Sequence, residues 1–208
     1  WFEMIEADGL DSAVFMVLKG GNFDGVWARQ GSYGRAGIGK NEKVLLIPGE
    51  EFRGVYQGHH LLFLPASLIK PISVGGIGQP AHLYHWPNSY SVLNQTSSAG
   101  GIGGAAHGGT FGQASTAALD ALLGASKFIE LSNTHLYRLD VWYRLLNSGV
   151  FLPPVAGTDL PNNPFREPWQ PFLGETRTYV QVEDPTDFEK WKTALENGKV
   201  LMRKERER

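Results

Sequence analysis

Histidine and carboxylate side chains at the ends of apolar runs are the residues of this sequence with the clearest chemistry. Four runs finish on such a group, at Glu51, His107, Glu130 and Asp159. A fifth run begins with His59 and His60, and only one of these can face a given side of a strand because successive side chains alternate. Imidazole and carboxylate together suit zinc, manganese or iron, and an ion held by them can turn water into a nucleophile. The pattern therefore predicts a divalent-metal site for hydrolysis, with ligands drawn from Glu51, His107, Glu130 and Asp159 and from one of His59 and His60.

Other polar side chains are candidates for contacts with a substrate. Arg177 could hold a carbonyl or anionic oxygen through its planar set of donors, or it could pair with Glu175 or Asp184 on the surface. The further pocket candidates are His60, His85, Glu130, His135 and Trp86. A lone histidine is more often a hydrogen-bonded structural residue than a ligand, and a lone acid often caps a helix or loop. The candidate catalytic residues are Glu51, Asp159 and Arg177.

Composition limits the classes of function. With no cysteine among 208 residues, disulfides and thiolate metal sites are excluded. The 19 basic and 21 acidic residues are mixed along the chain, which argues against nucleic acid as a partner. No apolar run approaches the roughly 20 residues of a membrane span, so the sequence predicts a soluble chain. It does not indicate a cellular compartment. The expected partner is a small-molecule substrate.

Apolar runs of strand length alternate with helical patterns along the chain. The strand candidates are SAVFMVL, KVLLIPG, HHLLFLP, GGIGGAAH, KFIELSN, PPVAGTD and TRTYVQV. Helical patterns cover 1–8, 114–124, 138–148 and 186–197, the last with a capping box from Thr186 to Glu189. Short apolar strands separated by helices predict an α/β domain with a largely parallel sheet, open or, as we prefer, closed into a barrel. The carboxyl ends of such strands would bring the candidate ligands to one mouth.

The domain is expected to be a single one over 1–208, with 203–208 as a charged tail. Residues 19–41 and 71–100 are rich in Gly, Asn, Ser and Pro and are predicted to be loops that wall the site. A helical pattern already under way at the first residue suggests an interior segment of a longer protein. A barrel that lacks its first strand would expose a sheet edge, through which copies of the chain could form a homo-oligomer.

The order of the motifs resembles one protein family. GEEF, GHHLLFL, GGIGGAAHGG and FIELSN are followed by WYRLLNSGVFLPPVAGTD and then by RTYV. Over about residues 1 to 200 they are similar to the carbamate-hydrolase-like (CehA/McbA) branch of the PHP (polymerase and histidinol phosphatase) superfamily. The resemblance implies a distorted (β/α)7 barrel, here without its first strand, that hydrolyses an ester, carbamate or amide bond. Phosphate esters are the alternative, although the absence of Lys and the scarcity of Arg around the predicted ligands argue against a strongly anionic substrate.

The resemblance also implies roles for individual residues. It makes Glu51, directly before Phe52, the carboxylate that bridges two ions, with Glu50 the less favoured neighbour. It makes His59 the next ligand and leaves His60 as a pocket residue or a group behind the ligands. It matches His107 to the histidine of a His-Pro pair, and Asp159 to the aspartate of a late Gly-Thr/Ser-Asp motif.

Several departures from the family pattern limit the expected metal content. Gly108 replaces the proline of the His-Pro pair, and Pro161 stands where many members have a histidine. The family's His-x-His of the first barrel strand is absent. We therefore expect two ions in the complete domain rather than three, and incomplete metal binding and activity in this chain. A degenerate barrel that serves as a ligand-binding or structural module is the non-catalytic alternative.

Overall fold

The computed structural model of this chain describes residues 1–18, 33–54, 57–69, 73–74, 86–109, 115–133, 136–137, 139–158 and 173–204. The α-helices in these ranges are α1 (Phe2–Ala7), α2 (Ser89–Ser98), α3 (Ala117–Leu122), α4 (Asp140–Asn147) and α5 (Phe188–Glu196). The strands are β1 (Ser12–Leu18), β2 (Gly39–Lys40), β3 (Leu45–Gly54), β4 (Gly58–Phe63), β5 (Ser73–Val74), β6 (Ile102–Ala105), β7 (Ile129–Asn133), β8 (Leu136–Tyr137), β9 (Pro154–Gly157), β10 (Thr176–Val180) and β11 (Val200–Lys204). Short 3-10 helices cover Arg35–Gly37 and His107–Gly109. None of the described helices has the length and apolar character that crossing a bilayer requires.

Nine strands in the described part of the chain form one mixed sheet. Its order is β1-β3-β4-β6-β7-β8, with β2 and β5 also paired to β3 and β9 paired to β7. β1 runs parallel to β3, and β7 runs parallel to both β6 and β9. β10 and β11 form a separate antiparallel pair. The result is an α/β fold whose sheet curls like half of a barrel.

The direction of β4 departs from the largely parallel sheet that the apolar runs predict. β4 is antiparallel to both β3 and β6, so its first residues lie beside the last residues of β3. Only residues 55–57 connect β3 to β4, and a parallel crossover needs a dozen or more residues. The short connection therefore dictates a reversal of the chain, which places His59 directly opposite Arg53.

The two faces of β3 and β4 pack against different parts of the molecule, because side chains alternate along a strand. One face belongs to a core cluster that includes Leu45, Ile47, Leu61 and Phe63 together with Trp191 and Leu195 of α5. The other face belongs to a cluster that includes Phe52, Leu62, Val92 and Leu93, the last two from α2. Neighbouring residues such as Glu50 and Glu51 thus point to opposite sides of the sheet.

Helix α2 lies within the segment 71–100, so the prediction of a loop over that whole segment is wrong in its second half. The helix sequence SYSVLNQTSS contains mostly residues of modest helix propensity, and local preference alone does not predict a helix there. Asn88 caps its start, since the side chain accepts a hydrogen bond from the N–H of Ser91 at 2.8 Å. Burial of Val92 and Leu93 against the sheet supplies the stabilisation that the local sequence lacks.

The start of α5 also differs from the predicted capping box. Asp187, rather than Thr186, is the N-cap, and its carboxylate accepts hydrogen bonds from the N–H groups of Glu189 and Lys190. Thr186 instead donates its hydroxyl to Asp184 at 2.8 Å. An ionised aspartate is a strong N-cap acceptor, so the helix begins one residue later than the pattern indicates.

Candidate metal centre

Glu51, His59 and His107 each bring one potential ligand atom to within 4.8 Å of the others. The Oε1 atom of Glu51 lies 2.7 Å from Nδ1 of His59 and 3.3 Å from Nε2 of His107. The two imidazole rings meet edge to face, with centroids 5.2 Å apart. About a tenth of each histidine side chain is exposed, and Glu51 is buried. Residues 51, 59 and 107, which are distant in sequence, therefore meet at one point.

Strand pairing explains how these side chains meet. Glu51 and Arg53 share one face of β3, and His59 lies directly opposite Arg53 on the antiparallel β4. His107 belongs to the turn that follows β6, the other neighbour of β4. The N–H of Ala106 donates to the carbonyl oxygen of His59 at 3.0 Å, which keeps this turn beside the start of β4.

Glu130 of β7 holds both the backbone and the ring of His107. Its Oε2 atom accepts a hydrogen bond from the N–H of His107 at 2.9 Å and lies 3.4 Å from Nδ1 of the same residue. His107 has a φ of 52°, in the left-handed region that few residues other than glycine adopt. Such backbone strain persists where the surroundings enforce it, and it is often found at functional sites. Nε2 of His107 is thereby left to face Glu51.

Gly157 of β9 leaves the space that Glu130 needs. A Cβ atom at this position would lie 2.5 Å from Oε1 of Glu130, so any side chain here would force that carboxylate to move. Glycine suits position 157 because the Glu130 carboxylate approaches its backbone closely, and not because of an unusual backbone conformation. β9 runs parallel to β7 and pairs Val155 with Glu130, so the strand preceding Asp159 adjoins the one that carries Glu130.

The protonation states of Glu51 and His59 suit metal binding. Burial raises the pKa of Glu51, but hydrogen bonds from His107 and His59 and the charge of Arg53 outweigh it and hold that pKa well below its usual range. Burial lowers the pKa of His59, and although Glu51 opposes this effect, the net direction is downward. At neutral pH, Glu51 is therefore a carboxylate and His59 a neutral imidazole, the forms that donate electron pairs to a metal ion.

The donor set fits a divalent transition metal. Two imidazole nitrogens and one carboxylate oxygen are ligands that zinc, manganese and iron accept, whereas calcium and magnesium prefer oxygen alone. These donors belong to Glu51, His59 and His107, three of the four ligands that the sequence predicts. The fourth, Asp159, lies outside the described residues.

Arg53 is a residue of this site that sequence reasoning missed. Its Nε atom lies 3.3 Å from Oε1 of Glu51, and its Nη2 atom donates to Oε2 of Glu51 at 3.4 Å. The expectation that arginine is scarce around the ligands is therefore wrong at this point. The signal was available, because residues 51 and 53 of one strand necessarily share a face.

His60 lies on the opposite side of the sheet from His59. Its Nε2 atom is 3.2 Å from Oδ2 of Asp120, which also accepts a hydrogen bond from the hydroxyl of Thr116 at 2.7 Å. Thr116 in turn contacts the hydroxyl of Ser89 at 2.7 Å. Burial raises the pKa of Asp120, but the hydrogen bonds from His60 and Thr116 outweigh it and lower that pKa. This buried network ties β4 to α2 and α3.

The described contacts of the remaining predicted site residues are with groups outside the cluster. The guanidinium of Arg177 donates to the carbonyl oxygens of Asp8 and Gly9, at 2.7 and 3.2 Å, and to that of Gly174. Arg177 therefore joins β10 to the turn after α1. Trp86 is two-thirds exposed. His85 and His135 lie outside the described residues.

Glu50, the neighbour of Glu51, is a buried acid on the other face of β3. One carboxyl oxygen accepts a hydrogen bond from the N–H of Ile69 at 2.9 Å, and the other has no hydrogen-bond partner among the described residues. Burial raises the pKa of Glu50 from 4.5 to about 8, against a smaller lowering by the hydrogen bond from Ile69. The side chain is therefore protonated at neutral pH.

We expect Glu50 to make stability depend on pH. The folded chain keeps a proton that the unfolded chain releases, so the stabilisation is fully present below pH 4.5 and is lost as the pH rises toward about 8. Since one pKa unit corresponds to about 1.4 kcal/mol, the free energy of unfolding should fall by a few kcal/mol across this window. A Glu50→Gln variant, which keeps an acceptor for Ile69, should lack this loss. Urea unfolding of both proteins across the window measures the difference, and parallel pH profiles would contradict the expectation.

A solved protein structure has a fold similar to that of this chain. A solved structure of a two-domain protein containing a predicted PHP-like metal-dependent phosphoesterase, from Bacteroides vulgatus ATCC 8482, aligns with 77% of this chain at a TM-score of 0.50 and 16% sequence identity. The likeness is one of fold. The aligned part makes up 45% of that protein's length. No protein-family model and no curated protein matches the sequence.

The structural likeness shows a similar fold alone, and membership of the PHP superfamily stays a prediction from the sequence motifs. The finer prediction, membership of the carbamate-hydrolase-like branch, rests on the sequence motifs alone. The same holds for a complete (β/α)7 barrel, since the described sheet is a mixed one that curls like half of a barrel.

Proposed function

We propose that this protein is a metal-dependent hydrolase that uses zinc, manganese or iron. The observation that carries the proposal is the meeting of Glu51, His59 and His107 at one point, with Glu51 as a carboxylate and His59 as a neutral imidazole. Asp159 is proposed as a further ligand, because it follows a strand that pairs with the strand of Glu130. The PHP-like fold of the aligned structure is in keeping with this function.

Each residue of the cluster has a distinct task in this proposal. A bound ion would supply a water molecule of lowered pKa and polarise the bond under attack. Glu51 contributes the negative charge of the ligand set, and His59 and His107 contribute neutral nitrogen donors. Glu130 orients the ring of His107 through Nδ1, as acidic groups behind metal-binding histidines commonly do.

Two kinds of bond are candidates for cleavage. An ester, carbamate or amide bond is proposed first, from the resemblance of the motifs to the carbamate-hydrolase-like branch. A phosphate ester is the second candidate, and Arg53 favours it, because guanidinium groups bind phosphoryl oxygens well and this one lies in the cluster.

Model substrates can decide between these candidates. Aryl acetate, aryl carbamate and aryl phosphate would be offered to protein that has been stripped with a chelator and then reloaded with zinc or manganese. We expect one class to be hydrolysed only by the reloaded protein, since the ion supplies the nucleophile. Release of the aryl alcohol is followed by absorbance.

The non-catalytic alternative gives a different result in the same assay. A protein that binds the ion and hydrolyses none of the three substrates would be a ligand-binding or structural module. Hydrolysis that persists unchanged after chelation would contradict the proposed role of the metal ion.

A further inference from the structure

The two carboxylate oxygens of Glu51 have different surroundings. Oε1 is the oxygen that lies near both imidazoles, 2.7 Å from Nδ1 of His59 and 3.3 Å from Nε2 of His107. Oε2 accepts a hydrogen bond from Nη2 of Arg53 at 3.4 Å. Arg53 spans both oxygens, since its Nε atom also lies 3.3 Å from Oε1, whereas the histidines approach Oε1 and the described contact of Oε2 is with Arg53.

A carboxylate that bridges two metal ions offers one oxygen to each. Here the guanidinium of Arg53 faces the second oxygen, and an arginine stays charged at every accessible pH. Arg53 lies directly opposite His59 in the β3–β4 register, and about three quarters of its side chain is buried. A second divalent ion at Oε2 would have to displace this cation or sit beside it.

The charges of the centre lead to the same conclusion. Counted as carboxylates, Glu51 and Glu130 carry two negative charges, and Arg53 offsets one of them. One divalent ion then leaves the described groups with a single excess positive charge, whereas two ions would leave three in a largely buried site. Such an excess of positive charge is costly where the effective dielectric constant is low.

We propose that Arg53 takes the place of a second cation at Glu51, so that the centre holds one metal ion per chain instead of two bridged by Glu51. This inference rests on the proposed metal-binding function. It also gives Arg53 a definite effect on affinity, because its positive charge lies beside a ligand and repels the bound ion.

Metal titration of the chelator-stripped protein tests the proposal. The wild type is expected to bind one zinc or manganese ion per chain by calorimetry, with the same content by plasma mass spectrometry. Arg53→Met should bind the ion at least about tenfold more tightly, since a unit charge near a divalent ion is removed. Arg53→Lys, which keeps the charge, should remain close to the wild type. Arg35→Met is the matched control, because Arg35 is an exposed residue that pairs with Glu189.

Each outcome separates this inference from the proposed function. Two ions per wild-type chain, or an Arg53→Met affinity that is equal to or below that of the wild type, would overturn the inference while leaving a metal centre in place. The stoichiometry of the wild type stands even if a variant fails to fold. Binding by Arg53→Met but not by the wild type would support the role of Arg53 and refute the proposed function, and an absence of binding in both proteins would refute both.

Discussion

A Glu51→Gln variant is expected to bind zinc or manganese at least about 100-fold more weakly than the wild type and to lose metal-dependent hydrolysis. Even groups behind the ligands change affinity by about 10- to 100-fold, so removal of a ligand's charge should do at least as much. Glu51 is the carboxylate that contacts both His59 and His107, and a neutral amide cannot offset the charge of a divalent ion. Calorimetric titration of the chelator-stripped proteins measures the difference.

Glu50→Gln is the matched control for this experiment. The two acids are neighbours in β3, but Glu50 points to the opposite face and is protonated at neutral pH. Replacement of Glu50 should leave the metal affinity within about twofold of the wild type, because Glu50 shares no described partner with the ligands and such groups usually act independently. Equal losses in the two variants, or full affinity in Glu51→Gln, would remove Glu51 from the ligand set.

A Glu130→Ala variant is expected to weaken metal binding by about 10- to 100-fold, although Glu130 is not a proposed ligand. Its carboxylate contacts both the N–H and the Nδ1 atom of His107. Without these contacts the left-handed backbone conformation of His107 is less stabilised. Glu130→Gln keeps an acceptor for the N–H and should lose less. Metal titration and thermal unfolding of the metal-free proteins are measured together.

Two further measurements distinguish positioning of His107 from a general loss of stability. Ser132→Ala is the control on the same strand, because the Ser132 hydroxyl is buried and has no hydrogen-bond partner among the described residues. In the zinc-loaded protein, nitrogen NMR of the His107 ring should show a proton on Nδ1 in the wild type, facing Glu130, and a mixture of tautomers in Glu130→Ala. If Glu130→Ala lowers the melting temperature but leaves affinity and tautomer unchanged, Glu130 is only a structural residue.

Local sequence predicted most elements because their signals are local. The run SAVFMVL coincides residue for residue with β1, Ser12–Leu18, and the helical pattern over 138–148 contains α4, Asp140–Asn147. An apolar run of strand length, or apolar residues at helical spacing, reports on burial, which is the main source of stability for such elements. Helix α2 escaped prediction because only its packing on the sheet stabilises it.

For the site, the sequence by itself determined which residue types are present and which neighbours share a face. The alternation of a strand separates Glu51 from Glu50 and His59 from His60, and it also puts Arg53 beside Glu51. These relations follow from the local backbone, and so they can be derived without knowledge of the rest of the fold.

Only the tertiary structure decided which of these faces meet. The reversal of β4 brings His59 to Glu51, and the turn after β6 brings His107 to both. The carboxylate of Glu130 comes from a strand 23 residues further along. Strand direction, pairing and register depend on packing between segments that are distant in the chain. The ligands, Glu130 and the place of Arg53 beside Glu51 were therefore predictable as residues, whereas the meeting of the ligands and the hold of Glu130 on His107 were not.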